Sequence, residues 1–208
     1  MSEESVDQKN DLYKIRHSLS HVLAQAVLEL RPDAKLAFGP PVENGFYYDF
    51  DFNGNPIGEA DLSELEERMR RIIKEKLPFH QKFLSPEEGI ALLEKMGQNY
   101  KVEYAKELVE KGEIDSRGLS FFQHGTFVDM CEGPHVNHTG ELPKDAFKLD
   151  RISGSYWRGD EKNPMLTRIY GFAFLTKSEL EDFLHRRQLA MERDHRKLGE
   201  ELDLFIQD

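Results

Sequence analysis

Apolar residues recur every three or four positions between Asp11 and Pro32, which is the spacing of one face of an α-helix. This apolar stripe has eight members: Leu12, Ile15, Leu19, Val22, Leu23, Ala26, Val27 and Leu30. Two histidines of the same segment, His17 and His21, lie off the stripe on another face. We therefore predict a helix that begins at Asp11 and is ended by Pro32, with both imidazoles turned toward a second wall.

Shorter patterns predict the elements that follow. Residues 35–56 have the pattern of two short strands around a turn at Gly39-Pro40-Pro41. Two capping boxes, at 85–88 and 176–179, each predict a helix directly after them. The other elements predicted before residue 112 are a charged helix over 60–76, a strand over 79–84 and a helix over 100–111 that has strand character at its start.

From about residue 119 to 175 the pattern is rich in strands, and a long charged helix follows to the end. Helices at both ends of an antiparallel sheet region indicate an α+β fold, with the sheet packed around the N-terminal helix. We predict three parts: a disordered tail over 1–10, one domain over 11–175, and a linker helix over 176–208 that leads toward a further domain.

The composition of the chain limits its expected partners and cellular compartment. The chain has 28 basic and 39 acidic residues, a net charge of −11, which is mild evidence against a nucleic-acid partner unless one face is locally basic. One cysteine excludes an internal disulfide and suits a reducing compartment. The polar start of the chain does not resemble a signal peptide, and no apolar run approaches a membrane helix, so we expect a cytoplasmic protein without a membrane partner.

Two residue pairs carry candidate chemistry. His17 and His21 are one turn apart on the first helix, and Cys131 and His135 flank a Gly-Pro turn after a predicted strand. Three imidazoles and a thiol are ligand types that suit zinc. The alternative is four unrelated residues, and the spacing alone does not decide between them.

In this order along the chain, five segments resemble the N-terminal editing region of threonyl-tRNA synthetases, in the threonyl/alanyl editing-domain family. They are HSLSH, KLAFGPPVENGFYYDFDF, VDMCEGPHV, GSYWRGDEKNPMLTRIYGFAF and RDHRKLGEELDLF. The Cys-x-Gly-x-His element with Pro134 resembles the threonyl branch rather than the alanyl branch. The resemblance implies that residues 11–175 are an editing domain that hydrolyses tRNA(Thr) mischarged with serine.

Such a domain has a physical reason to exist. Threonine and serine differ by one methyl group, which a binding pocket distinguishes by only about 1–3 kcal/mol. A second site that excludes threonine by size and cleaves the seryl ester completes the selection. Ester hydrolysis then requires a positioned water, a group that handles its proton, and donors for the oxyanion.

The resemblance also implies the residues of the cleft. The catalytic set is His17, His21, Lys101, Asp129, Cys131 and His135, and the substrate contacts are Tyr48, Trp157 and Arg158. Lys101 would hold the ester or activate water, and Asp129 would accept the serine hydroxyl or ammonium. Tyr48 would contact the terminal adenosine, although strand alternation leaves open whether Tyr47 or Tyr48 faces the cleft.

For cofactors and partners, the resemblance implies editing without an obligatory metal, although the four candidate ligands leave zinc possible. ATP and Mg²⁺ would serve only an aminoacylation core, through which a homodimer would also form. The expected partners are the 3′ end of tRNA(Thr) carrying serine and the rest of a synthetase, of which we expect this chain to be a fragment.

Two positions depart from the family pattern. Gln25 stands where a further histidine is frequent, and Glu132 where a basic residue is frequent. These departures keep open a module that binds tRNA or metal without catalysis. A free-standing deacylase that acts in trans is the other alternative.

Overall fold

The structure is a computed structural model that describes the backbone of residues 3–205 and the side chains of residues 10–193. Within this range the helices are α1 (Glu3–Leu30), α2 (Leu62–Lys74), α3 (Pro86–Lys95), α4 (Asn99–Lys111) and α5 (Lys177–Phe205). The strands are β1 (Lys35–Leu36), β2 (Pro41–Val42), β3 (Gly45–Asp51), β4 (His80–Leu84), β5 (Leu119–His124), β6 (Phe127–Met130), β7 (Phe147–Tyr156) and β8 (Met165–Ala173). The predicted α+β class is confirmed.

Two antiparallel sheets organise the chain. The larger sheet has the order β1-β3-β8-β7, and β2 pairs with one end of β3. The smaller sheet has the order β4-β5-β6. Helix α1 packs on β3 and α2, and its apolar stripe enters the main core, where Leu19, Val22 and Leu23 are fully buried beside Phe46 and Phe50.

Both capping boxes are present and start the helices that the sequence predicts. The Glu88 N–H donates to Ser85 Oγ, while the Ser85 N–H donates to Glu88 Oε2. The same exchange joins Thr176 and Glu179 at the start of α5. Each pair satisfies two backbone donors that would otherwise lack a partner at the helix end.

The structure departs most clearly from the predicted elements in α1 and α4. Helix α1 begins at Glu3 instead of Asp11, so the polar segment before the apolar stripe is helical from that point. The predicted strand character at the start of 100–111 is wrong, because α4 is helical from Asn99 and buries Lys101 and Val102 against the smaller sheet. Residues 1 and 2 of the predicted disordered tail lie outside the described residues, and disorder there stays a prediction.

None of the helices among the described residues combines the length and apolarity needed to cross a bilayer. The linker role of α5 toward another domain stays a prediction, since its side chains beyond residue 193 lie outside the described part of the chain.

His124, at the end of β5, is a buried imidazole that we expect to weaken the fold in acid. It is fully buried between Phe79 and Phe127, and both ring nitrogens lack a hydrogen-bond partner among the described residues. Burial lowers the pKa of His124 to about 4 from an ordinary 6.5. Because the unfolded chain then binds the proton more readily, stability is complete above pH 6.5 and falls as the pH drops toward 4.

The variant His124→Phe removes this titration and the unpaired N–H together. We expect it to be at least as stable as the wild type at pH 7. Between pH 7 and pH 4, its free energy of unfolding should fall by about 3 kcal/mol less than that of the wild type. Urea unfolding at a series of pH values measures both numbers. A wild-type stability curve that His124→Phe leaves unchanged in shape would contradict the prediction.

Candidate active site

The candidate site is a cleft of about 430 Å³ between α1, the loop after β1, α4 and the end of β6. It is lined by Tyr13, His17, His21, Phe38, Gly39, Pro40, Pro41, Tyr47, Lys101, Tyr104, Asp129, Met130, Cys131, Glu132 and Gly133. The lining combines apolar rings with a small number of converging polar groups, as is typical of a ligand site. Among the residues that the sequence singles out, His17, His21, Lys101, Asp129 and Cys131 lie on its wall.

Helix α1 supplies the first wall. His17 and His21 are one turn apart, their rings meet edge to face at 5.3 Å, and both are largely buried at 8% and 2% exposure. The apolar stripe fixes the rotation of the helix, because it must face the core. The two imidazoles therefore point away from the core and into the cleft, as the sequence predicts.

The loop after β6 supplies the second wall. Gly133 has φ +75°, and a Cβ there would come within 2.8 Å of the Phe122 ring, so only glycine fits at this position. The tight turn brings Cys131 and His135 to the same side. The Ser18 hydroxyl holds the loop to α1, because it accepts the Val136 N–H and lies 3.1 Å from His135 Nδ1.

These two walls bring the four residues of the zinc hypothesis together. Cys131 Sγ lies 3.1 Å from His17 Nε2 and 3.4 Å from His135 Nε2, and it accepts the Gly133 N–H at 3.2 Å. One potential ligand atom from each of the four residues lies within 4.8 Å of the others. The alternative that these four residues are unrelated is therefore wrong, because they are neighbours in the folded chain. Proximity alone does not make them a metal site.

The cluster fits zinc in part. Its three imidazoles and one thiol are suitable ligand types, and His135 has an outer partner in Ser18, as metal-bound histidines usually do. The Nδ1 atoms of His17 and His21 have no such partner among the described residues. Ligand atoms up to 4.8 Å apart also have to close together before bonds of about 2.0–2.3 Å can form to one ion.

Burial keeps the cluster uncharged. It lowers the pKa of His17 to about 4 and that of His135 to about 2, and it lowers the pKa of His21 well below the ordinary value. Burial also raises the pKa of the Cys131 thiol to about 12. At neutral pH the site therefore contains neutral imidazoles, which can accept a hydrogen bond from water, and a protonated thiol, which is a poor nucleophile.

Lys101 and Asp129 form a buried ion pair at the base of the cleft. Lys101 Nζ lies 3.0 Å from Asp129 Oδ1 and donates to the Met130 carbonyl at 3.1 Å, and the two charged residues are 4% and 2% exposed. The Tyr48 hydroxyl donates to Asp129 Oδ2 at 2.6 Å, and His21 Nε2 lies 3.7 Å from the same oxygen. An ammonium has three N–H donors, so Lys101 keeps one for a ligand in the cleft.

The two adjacent tyrosines of β3 have different positions. Tyr48 is fully buried behind the cleft, where its hydroxyl holds Asp129. Tyr47 lines the cleft, and the guanidinium of Arg168 lies 3.9 Å from the centre of its ring. Arg168 is itself fixed by two hydrogen bonds to Asp49. The structure therefore presents Tyr47 to a ligand, and Tyr48 supports the site from behind.

Trp157 and Arg158 do not reach the cleft wall. The Trp157 indole is 5% exposed and stacks on Phe38 at 5.2 Å, with its N–H donated to Glu103. Arg158 pairs with Glu103 and Glu107. Trp157 thus supports a cleft residue, Phe38, through contacts that the sequence could not show. Direct contact of either residue with tRNA stays a prediction.

The two departures from the family pattern also have defined places. Glu132 lines the cleft, whereas Gln25 is buried on α1 and its amide donates to Glu29. Three aromatic side chains of the wall were not singled out from the sequence: Tyr13, Phe38 and Tyr104. Only Tyr13 carries a usable signal, since it precedes His17 by four residues and so shares its helix face.

Comparison with known proteins gives consistent matches of two kinds, to a family and to individual proteins. The family described as "Threonyl and Alanyl tRNA synthetase second additional domain" matches residues 119–170, which run from β5 into β8. The chain is also 52% identical over 190 residues to the threonine–tRNA ligase of Acetivibrio thermocellus, covering 91% of this chain and 29% of that protein.

Other threonine–tRNA ligases match over a similar extent. The enzyme of Acidithiobacillus ferrooxidans is 49% identical over 199 residues, with 96% of this chain and 30% of that protein covered. The enzyme of Borrelia hermsii is 46% identical over 202 residues, with coverages of 97% and 33%. The chain spans about a third of the length of these relatives. It belongs to the threonyl-tRNA synthetase family and matches its editing region.

Proposed function

We propose that this chain hydrolyses the ester bond of tRNA(Thr) that carries serine. The observation that carries the proposal is the Lys101–Asp129 ion pair, buried at the base of a cleft beside a neutral imidazole cluster. A buried ion pair adds little to stability compared with apolar residues of similar volume. Charged groups of this kind in a cleft are therefore more readily explained by binding or catalysis.

The geometry supports a division of roles. The remaining N–H of Lys101 is suited to the ester carbonyl and to the negative charge that develops on its oxygen. Asp129 retains acceptor capacity for the serine ammonium or hydroxyl. To the neutral imidazoles of His17 and His21 we assign the roles of orienting a water and accepting its proton, while the water oxygen forms the new bond to the carbonyl carbon. The departing 3′-terminal oxygen of the tRNA takes up a proton as the ester bond breaks.

Water is the proposed nucleophile, because the Cys131 thiol remains protonated. We propose that hydrolysis does not require a metal, since Cys131 Sγ already lies within hydrogen-bonding distance of the Nε2 atoms of His17 and His135. If zinc is bound, His17, His21, Cys131 and His135 would hold it. It would then supply a polarised carbonyl or a more acidic water.

The test is hydrolysis of seryl-tRNA(Thr) and threonyl-tRNA(Thr) by this chain, with and without a chelator. Selective loss of the seryl ester that the chelator does not affect supports metal-free editing. If the chelator abolishes the selective loss of the seryl ester, hydrolysis would depend on a metal bound by the four candidate ligands. Absence of cleavage above the buffer rate, in a chain that still binds tRNA, would favour the non-catalytic alternative.

Cys131 lines the cleft, and we propose that its side chain helps to exclude the methyl group of threonine. We expect Cys131→Ala to enlarge the pocket and to raise the rate of threonyl-ester cleavage relative to seryl-ester cleavage by roughly tenfold. This is at the lower end of the discrimination that one methyl group provides. Cys131→Ser, which keeps the size, is the matched control and should retain the preference. Both ratios come from single-turnover rates, and equal ratios in Cys131→Ala and wild type would rule out this role.

The proposed partners are the 3′ end of seryl-tRNA(Thr) and the remaining parts of a synthetase, and the proposed place of action is the cytoplasm. ATP and Mg²⁺ would be used by an aminoacylation core and not by this cleft. A homodimer, if it forms, would form through that core. Hydrolysis in trans by the chain alone is the alternative, and the assay above with the isolated chain addresses it directly.

A further inference from the structure

A second cavity, of about 540 Å³, lies at the C-terminal end of α2. Four lysines line it: Lys74, Lys76, Lys144 and Lys177. Asp145 is the only acidic residue among the described residues that line it. This concentration of positive charge contrasts with the net charge of −11 of the whole chain. We refer to these four residues as the lysine cavity.

The lysines are available to a ligand. Lys74, Lys76 and Lys144 are exposed and have no ion-pair partner among the described residues. Within residues 10–193, Lys177 pairs only with the exposed Glu181, at 3.3 Å. Such a surface pair is weak and readily exchanged for another anion.

Lys76 adds a separate observation. It directly follows the last turn of α2 with φ +52°, a left-handed conformation that usually favours glycine or asparagine at the end of a helix. Its side chain lies over Gly140, where a Cβ would come within 2.7 Å of Lys76 Cγ. Lys76 thus occupies a position where glycine would fit the backbone better, and Gly140 provides the space for its side chain.

A third hollow lies between the lysine cavity and the candidate active site. It shares Leu175 with the lysine cavity, and it is also lined by His135, whose imidazole belongs to the cluster in the cleft. Lys14 lines this hollow too, together with Asp11, with which it pairs at 3.8 Å, and Glu141. Through His135 and Leu175 this hollow connects the residue cluster of the cleft with the lysine cavity.

We propose that the lysine cavity binds the phosphodiester backbone of the tRNA whose 3′ end enters the cleft. This inference rests on the proposed function for the identity of the polyanion. An acidic protein repels RNA at long range, so it requires a local basic surface to hold the strand. Lysines provide this as point charges without reading sequence, which suits a contact remote from the reacting ester.

The test measures binding of uncharged tRNA(Thr) as a function of salt, so it does not depend on hydrolysis. The variant combines Lys74→Ala, Lys76→Gly and Lys144→Ala. We expect its affinity near 0.1 M salt to fall by roughly tenfold or more, and the slope of log K against log salt to become shallower by about two to three. The turnover rate of bound seryl-tRNA should be unchanged, because the cleft is intact.

Two controls separate this contact from general charge and from misfolding. The combination of Lys82→Ala, Lys95→Ala and Lys106→Ala makes the same change of net charge at other exposed positions, and it should leave the salt slope nearly unchanged. Lys76→Gly alone should fold at least as stably as the wild type, since it removes the left-handed lysine, and should still weaken binding. Equal slopes in the wild type and the lysine-cavity variant, or equal losses in both triple variants, would overturn the proposal.

Discussion

Replacing Asp129 with Asn is expected to reduce seryl-ester hydrolysis by at least a hundredfold and to lower the free energy of unfolding by about 3–5 kcal/mol. The carboxylate is 2% exposed and balances the buried ammonium of Lys101 at 3.0 Å. An amide at this position leaves that ammonium buried without its counter-charge, and leaving one charge unpaired costs far more than the pair itself contributes. Urea unfolding and single-turnover hydrolysis measure the two effects.

A second variant separates stability from catalysis. Lys101→Met with Asp129→Leu replaces both charges by apolar side chains, so we expect it to recover part of the stability that Asp129→Asn loses. The rest does not return, because the buried Tyr48 hydroxyl loses its acceptor. Hydrolysis should remain lost, because neither the oxyanion donor nor the acceptor for serine is present. If this double variant hydrolysed the seryl ester at the wild-type rate, the ion pair would have no catalytic role.

Replacing His17 with Ala is expected to reduce hydrolysis by roughly 10²–10⁴-fold, the contribution typical of a positioned general base. The cause is loss of a neutral imidazole in the cleft, 3.1 Å from Cys131 Sγ. We expect a much smaller change in stability than for Asp129→Asn, since no charge is left unpaired. The measurement is the single-turnover rate with seryl-tRNA(Thr), with chelator present in every sample.

His124→Phe is the matched control for this experiment. It also removes a buried imidazole with a lowered pKa, but His124 does not line the cleft. We expect it to retain the wild-type rate. A loss of equal size in both variants would mean that any disturbance of this buried region stops hydrolysis, and it would remove His17 from the proposed mechanism.

Local sequence rules determined most of the elements. The apolar stripe of α1 fixed the helix and turned His17 and His21 away from the core, because burial of the stripe allows only one rotation. The capping boxes at Ser85 and Thr176 determined where α3 and α5 begin, since the contacts involved span only three residues. The sequence pattern predicts too late a start for α1, because a polar segment carries no periodic signal that distinguishes a helix from a tail.

The sequence by itself therefore determined the fold class, the family resemblance and the residues able to carry chemistry. Only the tertiary structure decided which of them meet. Tyr47 and Tyr48 alternate on β3, and the contact between Tyr48 and Asp129, 81 residues apart, decides which one is buried. Lys101 likewise gains its partner from β6, and Trp157 its place behind Phe38 from the end of β7. Such contacts depend on how distant elements pack, and residue spacing along one element carries no information about them.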